Sequence, residues 1–395
     1  MTDHMTDKLK KSLLPAGLRD VLPPDAACET QLMETLLATF AAHGYERVAP
    51  PLVEFEESLL EGAGAAMASK TFRIMDPVSQ RMMGVRPDMT LQVARIARTR
   101  LLDVPRPLRL CYGGQVLRVM GSQLRPEREF GQAGVELIGS TSESADLEVL
   151  LLAVEALGKV GLPGLSIDLT LPRLVPAVCE SLGLDLGRDK ALRGMLDHKD
   201  ATAVAALGGK PAKILGALLE AVGPADRALD LLAKTDLPKS TCADRQCLAN
   251  VVERLTVAAP GLGLTVDPVE NRGFEYHAGL GFTFFARDVR GSLGRGGRYF
   301  AGGNKPATGE PQTGEPATGF TLFLDTLVRA VPTPPVPRRL YLPFDTRAED
   351  GARLRQEGWI TVVALEAGDD PETEAARLGC PYFYHSGKAR PVKKA

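Results

Sequence analysis

The sequence predicts an α+β fold: an antiparallel or mixed sheet flanked by helices, with a helical insertion and a small C-terminal α/β module. Three observations carry that prediction. Stretches of strand character, such as the period-2 run "LSIDLT" (165–170), are separated mostly by loops rather than by regular crossover helices. Neither G-x-G-x-x-G after a strand nor G-x-x-x-x-G-K-[ST] occurs, and "GRGGRYFAGG" (294–303) is glycine-rich and basic without the spacing of either phosphate loop. From about 184 to 262 the texture changes to Ala- and Leu-rich segments broken by glycines, which predicts helices.

The elements follow in order. A polar start and the turn-rich arm "LLPAGLRDVLPPD" lead into a helix over 26–43, with Leu32, Leu36, Leu37 and Phe40 on one face and Gly44 as its stop. "YERVAPPLVEF" and "TFRIMDP" have strand character. A helix is predicted over 91–102, with its arginines in solvent. Residues 108–119 and 131–140 read as adjacent antiparallel strands, and a helix begins near Ser144 with Leu147, Leu150, Leu151, Val154 and Leu157 at helical spacing. Strand character returns in "LTVDPVENRGFEYHAGLGFTFFARDV". The stretch 302–319, with its near-repeat "TGEP", predicts a mobile surface loop. In "GFTLFLDTLVRA" (319–330) a strand over 320–324 enters an amphipathic helix through a turn carrying Asp325 and Thr326, with no cation before Arg329. "VPTPPVP" (331–337) is a stiff linker, and "KARPVKKA" (388–395) reads as a frayed tail. The expected division is a core over 1–183 and 263–330, an insertion over 184–262 and the module over 338–395.

Composition bounds the function. The chain has 395 residues, 44% hydrophobic and 24% charged, which is ample for a sizeable core. Its 47 Lys plus Arg stand against 49 Asp plus Glu, so bulk charge gives no support to nucleic-acid binding. The six cysteines form no dense framework, and Cys242 and Cys247 make a lone C-x4-C without a nearby histidine, so neither disulfides nor a metal is expected. No cofactor is expected either. No apolar leader and no run of membrane-spanning length is seen, so the expected setting is the cytoplasm, with no membrane partner.

Three polar clusters could carry chemistry. In "VRPDMTLQ" (85–92), Asp88 and Thr90 precede a helix, where they can cap it or take a ligand's ammonium group. Gln132 and Glu136 are four apart, so they share one face of a strand. A carboxylate there needs a cation or several donors, which Arg118 on the preceding strand can supply; a solvated outer sheet face is the alternative. "ENRGFEYHAG" (270–279) carries Arg272, Tyr276 and His277. Acids, amides and arginines together suit a zwitterion: a guanidinium forks onto its carboxylate while Asp88 and Glu136 take N–H groups.

"LLPAGLRDVLPP", "VRPDMT", "LRLCYGGQVLR…REFGQAGVELIG", "NRGFEYH", "GRGGRYFAGG" and "ATGFTLFLDTL" follow the order of the class II histidyl-tRNA synthetase catalytic core. More closely, over roughly 13–330, they resemble the family of ATP phosphoribosyltransferase regulatory subunits, non-aminoacylating paralogues of that synthetase. The departures separate the two. Thr326 stands where synthetases have an ATP-binding arginine, Met120 where they have an acid, and Phe300 where "GGRYD" ends. The segment after the linker is shorter than an anticodon-binding domain, so tRNA binding is not expected.

The resemblance implies a class II aminoacyl-tRNA synthetase-like sheet and a catalytically silent chain that binds L-histidine as effector. It implies a dimer core assembled with the catalytic subunit of a short-form ATP phosphoribosyltransferase, through which feedback inhibition and activation pass. Asp88, Thr90 and Gln132 would meet the α-amino group. Glu136 and Tyr276 would read the imidazole, Arg272 and Arg118 would sit near the carboxylate, and His277 stands where the synthetases have a second tyrosine. An active aminoacyl-adenylate-forming enzyme of the histidyl-tRNA synthetase type is the alternative.

Overall fold

The computed structural model describes residues 13–121, 126–186, 188–270, 277–303, 314–332, 338–368 and 370–393. They fall into two compact units that divide between Pro332 and Thr333.

The first unit is organised by a nine-stranded sheet. Its strands are β1 (Glu46–Arg47), β5 (Leu108–Leu117), β6 (Glu129–Ile138), β7 (Leu165–Thr170), β8 (Gly223–Pro224), β9 (Gly263–Asp267), β10 (His277–Ala286), β11 (Gly294–Ala301) and β12 (Glu315–Phe323). They lie in the order β1-β5-β6-β12-β11-β10-β7-β9-β8. Every neighbour from β5 across to β7 is antiparallel, whereas β1 on β5 and β9 on β7 are parallel, so the sheet is mixed. Three short strands, β2 (Val53–Phe55), β3 (Phe72–Met75) and β4 (Met82–Val85), form a separate antiparallel sheet in the order β2-β4-β3.

Period-2 alternation gives the large sheet two different faces. On its back, Val135, Leu137, Phe320, Leu322, Phe282, Phe284, Ile167 and Leu169 join one core with helices Asp25–Ala42 and Glu143–Lys159. Phe320 meets Phe40 and Phe284 edge-on at 5.6 and 5.8 Å, the favoured aromatic geometry. Arg298 also projects to the back, where Nε and Nη2 donate to Asp146 Oδ2 at 3.0 and 2.8 Å. The region between β7 and β9 contains helices Lys190–Asp197, Ala201–Ala206, Gly209–Glu220, Ala225–Lys234 and Cys242–Ala258. Their leucines 192, 196, 215, 218, 248 and 255 continue the same core.

On the front, helix Thr90–Thr99 packs Val93, Ala94 and Ala97 beside Leu110, Ile138, Ala317 and Phe323. Its arginines are not simply solvated. Arg95 forks onto Glu54, and Arg98 reaches Glu61 at 2.7 Å, because the helix lies beside the acid-bearing stretch 54–61. The expected surface loop also ends early. From Glu315 the chain is strand: small Ala317 and Gly319 pair with Ile138 and Glu136, and Glu315 forks onto Arg106 at 2.6 and 2.8 Å. Residues 304–313 of that stretch, the linker positions 333–337 and the first twelve residues lie outside the described residues. No separate turn intervenes before the next helix, Leu324–Ala330, so Asp325 and Thr326 are buried in its first turn.

The second unit is a four-stranded sheet, order β14-β13-β15-β16, with β13 (Arg339–Leu342), β14 (Ile360–Val363), β15 (Tyr382–His385) and β16 (Lys388–Pro391), and with helices Ala348–Gln356 and Pro371–Arg377. The stretch read as a frayed tail therefore begins with a strand. Ser386 (φ 49°) and Gly387 (φ 78°) make a two-residue turn with positive φ at both positions, which folds β16 back antiparallel onto β15.

Candidate amino-acid site

Cross-strand register decides which front-face residues meet. Glu136 on β6 stands opposite Leu110 of β5 and Gly319 of β12. Two positions further, Gly134 stands between Tyr112 and Thr321. The glycines are steric requirements. A Cβ on Gly319 would lie 2.0 Å from Glu136 Oε2, and one on Gly134 would lie 2.5 Å from the Tyr112 hydroxyl.

Over this floor a hydroxyl network holds the Glu136 carboxyl. Tyr112 donates to Oε1 at 3.2 Å and Tyr299 to Oε2 at 2.8 Å. The Tyr112 oxygen is 2.7 Å from Thr321 Oγ1 and 3.0 Å from Thr90 Oγ1, and the two threonines are 3.3 Å apart. Glu136 is 1% exposed, and among the described residues its hydrogen-bond partners are hydroxyls, not cations. Burial raises its carboxyl to about 8, with the hydroxyl donors offsetting part of the cost. The Tyr112 phenol is also pushed well up, first by burial and then by the charges of Glu136 and Asp88.

The second cluster adjoins the first. Asp88 Oδ1 accepts from the Thr90 backbone N–H at 3.0 Å, and Oδ2 accepts from Gln132 Nε2 at 3.0 Å. Gln132 Oε1 in turn accepts from the Met89 N–H at 3.2 Å. Asp88 thus caps the helix start and also belongs to the polar site. Arg118 is placed differently from the sequence expectation. It lies just beyond β5, where Nε donates to the Pro87 carbonyl at 3.3 Å and the guanidinium faces the Phe130 ring at 4.8 Å. Its nearest carboxylate is Asp88, at 3.9 Å, rather than Glu136, because the rungs pairing β5 with β6 put Arg118 beyond Glu129, far along the strand from Glu136.

The structure therefore brings together Asp88, Thr90, Gln132 and Glu136, with Arg118 at the rim. Arg272 and Tyr276 lie outside the described residues. His277 opens β10 opposite Tyr299, and only its backbone is described. Sequence reasoning missed Tyr112, Tyr299 and Thr321. Tyr112 and Tyr299 sit inside quoted motifs, but their joint approach to Glu136 depends on strand pairing. Thr326 is 1% exposed where a synthetase would present its arginine, and Arg329 pairs with Glu127 at 3.1 Å. Cys242 and Cys247 are free, and no group of three metal-ligating side chains occurs among the described residues.

A largely antiparallel sheet backed by long helices, with a buried polar site on its front face, is the architecture of a class II aminoacyl-tRNA synthetase-like protein. The family model described as histidyl-tRNA synthetase matches residues 17–327. A crystal structure of an ATP phosphoribosyltransferase regulatory subunit/histidyl-tRNA synthetase from Bacillus halodurans superposes with a TM-score of 0.77 at 24% identity, covering 92% of this chain and 96% of that one. The ATP phosphoribosyltransferase regulatory subunit of Rhodospirillum centenum is 56% identical over 383 residues, 97% of each chain. That of Paramagnetospirillum magneticum is 56% identical over 376 residues, covering 95% of this chain and 97% of the relative. The chain belongs to the family of ATP phosphoribosyltransferase regulatory subunits.

Proposed function

We propose that this chain binds L-histidine on the front of its sheet and passes that occupancy to a separate catalytic subunit, a short-form ATP phosphoribosyltransferase, as feedback inhibition. Without histidine it supports the partner's activity. The chain itself forms no aminoacyl adenylate, and it works in the cytoplasm as a dimer within a hetero-oligomer that does not engage tRNA. Among the described residues no helix is long and apolar enough to cross a membrane.

The observation that carries this reading is the buried Glu136 carboxyl, held by two tyrosine hydroxyls and, among the described residues, by no ion-pair partner. A carboxyl kept in that state costs stability. It is accounted for by a ligand that brings its own N–H groups, as an imidazole does. Asp88, with Gln132 and Thr90 beside it, is disposed to take an α-amino group and Arg118 to take the carboxylate, a role the resemblance gives to Arg272 as well. Tyr276 and His277 complete the imidazole end in this reading. Coupling of the site to the partner would be on the order of 1–3 kcal/mol.

Calorimetric titration of L-histidine into the purified chain tests the reading. Saturable binding that Glu136→Ala abolishes is expected. Histidine-dependent pyrophosphate–ATP exchange by the pure chain would instead establish a working synthetase, against which the buried Thr326 argues.

A further inference from the structure

The helical insertion and the segment that leads into β10 are joined at one buried carboxylate. Asp267 ends β9 and is 6% exposed. Its Oδ1 accepts the backbone N–H groups of Val269 and Glu270 at 3.2 and 3.1 Å. Its Oδ2 accepts from the Lys199 ammonium at 2.5 Å. One oxygen therefore fixes the path of the chain as it leaves the sheet, and the other holds a residue of the insertion. Lys199 lies in the turn between helices Lys190–Asp197 and Ala201–Ala206, with φ at 53°, a region that non-glycine residues seldom use.

Register sets where this joint stands. Glu136, Gly319, Gly297, Gly281, Thr170 and Asp267 pair in succession across β6, β12, β11, β10, β7 and β9. Paired residues share a face, so Asp267 stands on the front of the sheet, on the rung of Glu136. Five strand spacings separate the two, about 24 Å. An amino acid held at Glu136 is therefore out of reach of Asp267 and of the ammonium it holds. The chain itself makes the connection. Glu270 stands two residues before Arg272, while Tyr276 adjoins His277, which β10 holds opposite Tyr299. Arg272 and Tyr276 lie outside the described residues, but their flanks are fixed by different means. Asp267 bears on the end that carries Arg272, and β10 on the end that carries Tyr276.

The joint depends on its cation. Asp168 on β7 accepts from Thr265 Oγ1 at 2.6 Å. Burial raises its carboxyl; Thr265 and Lys199 oppose the rise, and the charges of Asp267 and Glu270 add to it. Three carboxylates thus act on one ammonium. Without Lys199, like-charge repulsion drives Asp267 away from Asp168 and Glu270, and the turn that Asp267 holds shifts with it.

We propose that Lys199 and Asp267 are positioning residues for the effector site, holding the start of segment 268–276 so that Arg272 meets the carboxylate of bound L-histidine. They touch no ligand. The inference rests on the histidine reading above and names the contact through which the insertion bears on affinity.

The experiment is calorimetric titration of the full chain with L-histidine and, separately, with L-histidinol, which keeps the amino and imidazole groups but has no carboxylate. Wild type is compared with Lys199→Met, Lys199→Arg and Asp267→Asn. Lys210→Met, which breaks an exposed pair with Asp236 in the same insertion, is the control. Lys199→Met should weaken L-histidine binding about three- to tenfold, the range open to a partly exposed ion pair, and leave L-histidinol binding unchanged. Lys199→Arg should restore the affinity. Asp267→Asn keeps an oxygen for the two N–H groups but loses the charge, and should match Lys199→Met. The control should bind both ligands as wild type does. Equal weakening of the two ligands would mark the pair as merely structural and overturn the proposal. Unchanged L-histidine affinity in Lys199→Met and Asp267→Asn would overturn it too. Failure of wild type to bind L-histidine would instead remove the histidine reading, and this proposal with it.

Discussion

Glu136→Gln isolates the cost of the buried carboxyl. The group is raised from an ordinary 4.5 to about 8 by burial, so the folded chain retains a proton that the unfolded chain releases. The sign follows from linkage: where the unfolded state binds fewer protons, stability falls as pH rises. The loss begins near the unfolded value and levels off above the folded one. Each pH step inside that window costs at most about 1.4 kcal/mol, so from about pH 5 to about pH 8 the wild type loses roughly 3 kcal/mol through this group. Glutamine keeps the shape and the neighbouring hydroxyls but cannot ionise. The stability of Glu136→Gln relative to wild type should therefore grow by that amount across the same range. Urea unfolding followed by far-ultraviolet circular dichroism reads it, because Trp359, the single tryptophan, sits in the other unit and would not report. A difference that stays constant with pH, or that shrinks, would refute the argument that Glu136 is buried in its neutral form.

Tyr299→Phe removes the donor at 2.8 Å from Glu136 Oε2 and should cost about 1–3 kcal/mol, with a larger loss at alkaline pH where the carboxylate needs that donor, read in the same unfolding assay. Gly319→Ala places a Cβ 2.0 Å from Glu136 Oε2. It should lower the melting temperature and abolish histidine binding in calorimetry; tight binding by this variant would place the imidazole elsewhere. Arg298→Met strands Asp146, whose side chain is 1% exposed. Thermal unfolding should show a loss of about 3–5 kcal/mol, much of it recovered in the double variant with Asp146→Asn.

What was legible in the sequence tracks the range of the interaction. The pair β5 and β6 announces itself in local alternation, and Gln132 and Glu136 share a face because they are four apart on one strand. Which hydroxyls close on Glu136 is a matter of register across β5, β12 and β11, distant in sequence, so Tyr112, Thr321 and Tyr299 could not be assembled from spacing. The same holds for Arg118, whose neighbour on the strand pair is fixed by rungs rather than by proximity in the chain. The β16 strand was a missed local signal: Ser386-Gly387 between two apolar-aromatic and basic runs is a hairpin turn. Glu315–Gly319 read as loop because Pro, Thr and Gly dominate it, yet small residues are what the crowded floor above Glu136 requires. The arginines of helix Thr90–Thr99 looked solvated because their acidic partners, Glu54 and Glu61, lie on other elements.

The central claim is that occupancy of the Glu136 site controls a partner enzyme. The most direct measurement is the ATP phosphoribosyltransferase activity of the catalytic subunit reconstituted with this chain, followed against L-histidine concentration for wild type and for Glu136→Ala. Inhibition by histidine that the variant loses, with co-elution of the two subunits unchanged, is the predicted result. Equal inhibition in both complexes would place the effector site elsewhere and contradict the account.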